Sequence, residues 1–110
     1  MSQAPTIAEE QQLIAEEFGL LDDWRERIEY VLELGKGLGR LPEADYAEGN
    51  KVKGCQSQVW MVAEIDPGGR MQIRADSDAF IVKGLIALLL RLYSGRRPQE
   101  ILENPPTVFE

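Results

Sequence analysis

The sequence predicts an α+β domain in which helices pack on a small antiparallel sheet of about three strands, a two-layer arrangement. Three observations predict it. Two segments with helical spacing of apolar residues come first, two alternating segments around a turn signal follow between 59 and 75, and a long apolar helical segment comes directly after them. At 110 residues the chain is long enough for one compact domain and short for two, so 1–110 is read as a single domain.

The elements follow in order. Thr6-Ile7-Ala8-Glu9 fits a capping box, and the helix it opens runs to about Phe18, with Gly19 ending it. Asp22 or Asp23 caps a second helix whose apolar positions Trp24, Ile28, Val31 and Leu32 recur at helical spacing, ending near Gly35 or Gly37. From Lys36 to Asn50, Gly37, Gly39, Pro42 and Gly49 interrupt any periodicity, which predicts a connecting loop with a turn of helix. Val59, Met61, Ala63 and Ile65 alternate with Trp60, Val62 and Glu64, predicting a strand covered on both faces over much of its length. Asp66-Pro67-Gly68-Gly69 is a turn signal, and Met71, Ile73 and Ala75 alternate with Gln72 and Arg74, completing a hairpin with one wetter face. Asp76-Ser77-Asp78 supplies cap residues for the helix "AFIVKGLIALLLRLYSG", whose stripe Ile81, Leu85, Leu88, Leu92 is assigned to the core and whose stop is Gly95. Pro98 at a first helical position opens a short last helix, broken by Pro105-Pro106. The acidic runs Glu9-Glu10 and Glu16-Glu17 read as solvated helix faces.

Composition narrows the function. The net charge of -7 opposes binding to a phosphate backbone, so nucleic acid is not an expected partner. With no histidine and one cysteine, the chain lacks the usual base of Ser/His and Cys/His catalysis, and a zinc or iron–sulfur site held by this chain alone is not expected. No apolar run reaches membrane-spanning length and the first residues do not resemble a secretory signal, so a cytoplasmic protein without membrane contact is expected.

The lone Cys55 lies in "KVKGCQSQVW", where Gly54 and the polar pair Gln56-Ser57 break the strand pattern and put the thiol at a loop tip. Two readings stay open on these residues. Cys55 is either an inert, buried small hydrophobe or a reactive thiol, its thiolate favoured by the nearby charges of Lys51 and Lys53. Trp60, within a strand pattern, reads as core rather than contact surface. No CxxC pair is present to support thiol–disulfide oxidoreductase chemistry.

"GCQSQVW" followed at the same spacing by "ADSDAFIVKGLIALLLRLYSG" resembles the SufE family of sulfur acceptors, which also includes CsdE. The similarity extends from "ELGKGL", Glu33 to Leu38, through "RPQEIL", Arg97 to Leu102. The resemblance implies a SufE/IscU-like fold and a role for Cys55 as persulfide acceptor from a SufS-type cysteine desulfurase, which it also stimulates. The sulfur then passes to an iron–sulfur scaffold complex of the SufBCD type. It implies no cofactor on this chain, the pyridoxal phosphate belonging to the partner desulfurase, and no resident metal. Gly54, Gln56 and Ser57 carry over as loop-positioning or partner-binding groups. Asp78 matches a family position beneath the loop and helps hold it closed, while helix capping explains the same residue equally well. In the family the cysteine loop is tucked against an apolar surface at rest. A monomer or weak dimer is expected.

Relatives are expected to continue past the last residue with a helix that Phe109-Glu110 begin and a further arginine-bearing segment, so the chain reads as C-terminally shortened. The rival readings are a non-catalytic adaptor that docks on the desulfurase without carrying sulfur, and an inactive fragment that retains the motif without the docking surface. On the sulfur-acceptor reading the chain is a persulfide carrier and desulfurase activator rather than a stand-alone enzyme.

Overall fold

The computed structural model describes residues 5–106. Their order is α1 (Ile7–Gly19), α2 (Trp24–Lys36), short 3-10 turns at Glu43–Tyr46 and Glu48–Asn50, β1 (Val59–Ile65), β2 (Met71–Ser77), α3 (Phe80–Tyr93) and α4 (Pro98–Glu103). The capping box forms: Thr6 Oγ1 accepts from the Glu9 N–H at 3.1 Å, and the Glu9 carboxylate accepts from the Thr6 N–H at 3.0 Å. Asp23 Oδ1 accepts from the Glu26 N–H and starts α2, and Pro98 occupies the first turn of α4.

β1 and β2 pair antiparallel from Val59 opposite Ser77 to Ile65 opposite Met71. Asp66 closes their turn by accepting from the N–H groups of Gly68 and Arg70. Among the described residues the sheet has two strands, and what stands in for a third is single bridges, Lys51 to Trp60 on one edge and Met71 to Arg96 on the other. The pairing before β1 stops at its stem because Lys53-Gly54 turns the chain away.

α3 lies at the centre. Its Leu88, Leu92 and Tyr93 form one core cluster with Ile7 and Ile14 of α1, while Ile86 forms a second with Val59 and Ala75 of the hairpin. α2 comes close to α3 where both carry glycine: a Cβ on Gly35 would lie 2.9 Å from the Gly84 N, and one on Gly84 would lie 2.1 Å from the Val31 carbonyl oxygen.

The packing departs from the simple stripes. Leu88 and Leu92 are buried, but Ile81 and Leu85 are exposed, because the α1 side of the core meets only the C-terminal half of α3. On α2 the glycine contact turns Val31 and Gly35 inward and leaves Trp24 and Ile28 exposed. β1 is not covered on both faces: only Val59 is buried, and Met61 and Ile65 stand exposed, since α3 packs along β2. The acidic runs are not simply solvated. Glu10 is 8% exposed, and both Glu10 and Glu17 accept hydrogen bonds from the Arg91 guanidinium, tying α1 to α3. The helix expected to begin at Phe109-Glu110 lies outside the described residues.

Candidate functional site

The hairpin presents two faces. One packs on α3; the other carries Trp60 opposite Asp76 and Val62 opposite Arg74, and this second face supports the cysteine loop. The loop leaves the fold at Lys51, which bridges to Trp60, and at Val52, whose N–H donates to the Val59 carbonyl at 2.8 Å. It turns at Lys53-Gly54, where Gly54 takes φ 87°, a left-handed conformation that side chains disfavour. Cys55 follows as a free, exposed thiol. Gln56 is exposed and Ser57 half-buried.

The returning stem is fixed by Asp78. Its Oδ1 accepts from the Gln58 N–H at 3.0 Å, and its own N–H donates to the Gln58 carbonyl at 3.2 Å, extending the hairpin ladder by one step. α3 takes no capping bond from the Asp78 side chain: its N-cap is Ala79, and the Ala79 N–H is satisfied by Ser77 Oγ. The Asp76-Ser77-Asp78 triplet thus does three separate jobs, of which only that of Ser77 concerns the helix start.

Asp76, 4% exposed, is the most enclosed acid of this region. It accepts from the Tyr46 hydroxyl at 2.6 Å and from the Ser77 N–H at 2.8 Å, and pairs with Lys83 at 3.4 Å. Tyr46 in turn accepts from the Leu41 N–H and sets its ring edge-on to Trp60 with centroids 5.0 Å apart. The bond to Asp76 raises the Tyr46 pKa above the ordinary phenol value, because ionising the phenol would set two anions together. Trp60 is half-buried against Tyr46 on the outer face rather than in the core, and its indole N–H is buried with no hydrogen-bond partner among the described residues. The Lys51 ammonium sits 5.9 Å from the Trp60 ring and 3.1 Å from the Glu48 carboxylate, so its charge is shared with that acid.

The structure thus brings Gly54, Cys55, Gln56, Ser57 and Asp78 into one loop and its stem. It leaves Cys55 exposed, whereas the family resemblance implied a thiol tucked away at rest. Tyr46 and Arg74 were not singled out from sequence, and Asp76 was read there only as a helix-cap residue. Arg74 and Asp76 carried a weak signal as charges alternating on β2, but Tyr46 sits in an aperiodic loop with no signal. Among the described residues no group of His, Cys, Asp and Glu is arranged to hold a metal ion, and no helix is long and apolar enough to cross a membrane.

A family model described as SufE, Fe-S metabolism associated domain, matches residues 12–110. The chain belongs to the SufE family. Among SufE-like relatives, an uncharacterised protein of Rhizobium meliloti is 43% identical over 91 residues, covering 80% of this chain and 65% of its own length. An uncharacterised SufE-like protein of Rhizobium etli is 48% identical over 91 residues, covering 80% of this chain and 62% of its own. The chain therefore spans a little under two thirds of these relatives. In fold it is similar to a hypothetical protein from Thermus thermophilus solved in solution, with TM-score 0.69 over 91% of this chain and 72% of that one at 24% identity. SufE membership ties the chain to iron–sulfur metabolism, and the solved Thermus thermophilus structure gives its α+β arrangement a parallel in fold.

Proposed function

We propose that this SufE-family chain is a sulfur acceptor. Its Cys55 thiolate attacks the terminal sulfur of a persulfide carried by a SufS-type cysteine desulfurase. A new S–S bond forms at Cys55 as the donor's S–S bond breaks, and the donor cysteine leaves as thiolate. The sulfane sulfur then moves by the same exchange to an iron–sulfur assembly scaffold of the SufBCD type. The observation that carries this reading is a lone, exposed thiol at the tip of a loop whose two stems are hydrogen-bonded to one hairpin. A free tip suits delivery of sulfur into another protein's pocket, and the absence of a second cysteine leaves no internal thiol to discharge the persulfide as a disulfide. The exchange needs no cofactor on this chain, the desulfurase bringing its own pyridoxal phosphate, and it suits a reducing compartment such as the cytoplasm. Gly54, Gln56 and Ser57 shape the tip, and Asp78 fixes its return.

The test is turnover of the desulfurase on L-cysteine with this chain added, compared with Cys55→Ser. Stimulation that depends on Cys55 supports sulfur acceptance. Equal stimulation by Cys55→Ser contradicts it and favours an adaptor that docks without carrying sulfur.

A further inference from the structure

We infer that Tyr46, anchored on Asp76, is a positioning residue for Cys55, fixing the outgoing stem of the loop as Asp78 fixes the returning one. The inference rests on the sulfur-acceptor reading for its purpose, though not for its geometry.

Three residues at every second position of one chain segment, Arg74, Asp76 and Asp78, each hold a different piece of the loop's support. Arg74 Nε donates to Asp45 at 2.9 Å. Asp76 accepts from the neighbouring Tyr46. Asp78 accepts from Gln58. Strand pleating puts alternate residues on one side, so this row runs along the outer hairpin face toward the loop.

The 3-10 turn Glu43–Tyr46 is short and makes no side-chain cap bond, so it has little reason to hold its place by itself. What holds it is the row. Asp45 also accepts, through its carbonyl, from the Asn50 side chain at 3.0 Å, which passes the restraint to the residue before Lys51. Tyr46 passes it a second way, through its edge-on contact with Trp60, the residue to which Lys51 bridges. Both routes end on the same stem, at Asn50 and Lys51, just before the Val52 to Val59 bond. The bonds and ring contacts of Tyr46 run to Leu41, Asp76, Trp60 and Arg40 and not to Cys55, so its effect is on where the thiol points.

The lone cysteine makes the test specific, since a nitroxide attached to it reports one site. Tyr46→Phe keeps the ring and removes the hydroxyl's two bonds, to Asp76 and from the Leu41 N–H. It is expected to raise the mobile fraction in the room-temperature EPR spectrum by at least about five-fold, the effect of losing a single net hydrogen bond. Asp45→Asn, which weakens the row at Arg74, is expected to act in the same direction and serves if Tyr46→Phe does not fold. Tyr30→Phe is the control: it removes a comparable hydroxyl bond, to Glu17, on the α1–α2 side of the fold. It is expected to lower the melting temperature without altering the spectrum. As unlabelled acceptors for the desulfurase, Tyr46→Phe is expected to raise the acceptor KM at unchanged kcat. A Tyr46→Phe spectrum identical to the parent's, or an equal change in Tyr30→Phe, overturns the inference. If the parent takes no sulfur the acceptor reading falls, while the EPR comparison still decides whether Tyr46 sets the loop.

Discussion

Asp78 and Gln58 are bonded twice, side chain to backbone at 3.0 Å and backbone to backbone at 3.2 Å, and this pair closes the returning stem of the Cys55 loop. The first bond gives a direct observable. In Asp78→Ala the Gln58 amide loses its acceptor and is expected to exchange with solvent deuterium several-fold faster, whereas Asp78→Asn keeps an oxygen there and much of the protection. Because Cys55 is exposed with the pair intact, alkylation by a small reagent such as iodoacetamide is expected to change little in either variant. Unchanged Gln58 exchange in Asp78→Ala would remove the stem role.

The α2–α3 contact predicts a steep cost at one glycine and none at another. A methyl on Gly84 would meet the Val31 carbonyl oxygen at 2.1 Å, a backbone atom that moves only if α2 moves. Gly84→Ala is expected to destabilise the fold by about 3 kcal/mol. A methyl on Gly19 meets nothing within 4 Å, and Gly19→Ala is expected to stabilise by roughly 0.5 kcal/mol through the unfolded chain. Urea denaturation of both variants at neutral pH checks the contrast.

The Arg91 cluster predicts an acid-sensitive contribution to stability. Hydrogen bonds from Arg91, aided by one from Tyr30, hold the Glu17 pKa below its ordinary value, despite the opposing effect of burial. A carboxylate depressed in the folded state binds its proton more readily when unfolded. Its stabilisation is therefore present above the unfolded pKa, near 4.5, and is lost as pH falls through the lower folded value. Glu17→Gln is expected to cost about 1 to 2 kcal/mol at pH 7, moderated by the partial exposure of the pair. Melting temperatures of parent and variant are expected to converge as the pH is lowered below that point; a constant gap would contradict the assignment.

Local signals in the sequence carried most of the secondary structure. Thr6 with Glu9, Asp23, the Asp66 turn and Pro98 each act within a few residues, so the helix starts and the hairpin were readable. What stayed hidden depends on which neighbour arrives. Ile81 and Leu85 have the spacing of a core stripe, but no described element packs them away. Glu10 and Glu17 look solvated until Arg91, 74 residues beyond Glu17, reaches both. At the site, the Cys55 loop was legible because glycine and polar residues interrupt a strand pattern. Its support was not: Tyr46 finds Asp76 across 30 residues, and nothing local in the 40–50 segment marks that pairing.

The central claim is that Cys55 receives sulfur, and intact mass tests it most directly. The chain and its Cys55→Ser variant are each incubated with a SufS-type desulfurase and L-cysteine without reductant, and weighed by mass spectrometry. The account predicts the addition of one or more sulfur atoms to the parent and none to the variant. A parent that stays unmodified, with its thiol free and the desulfurase active, or a Cys55→Ser variant that gains sulfur equally, would contradict it.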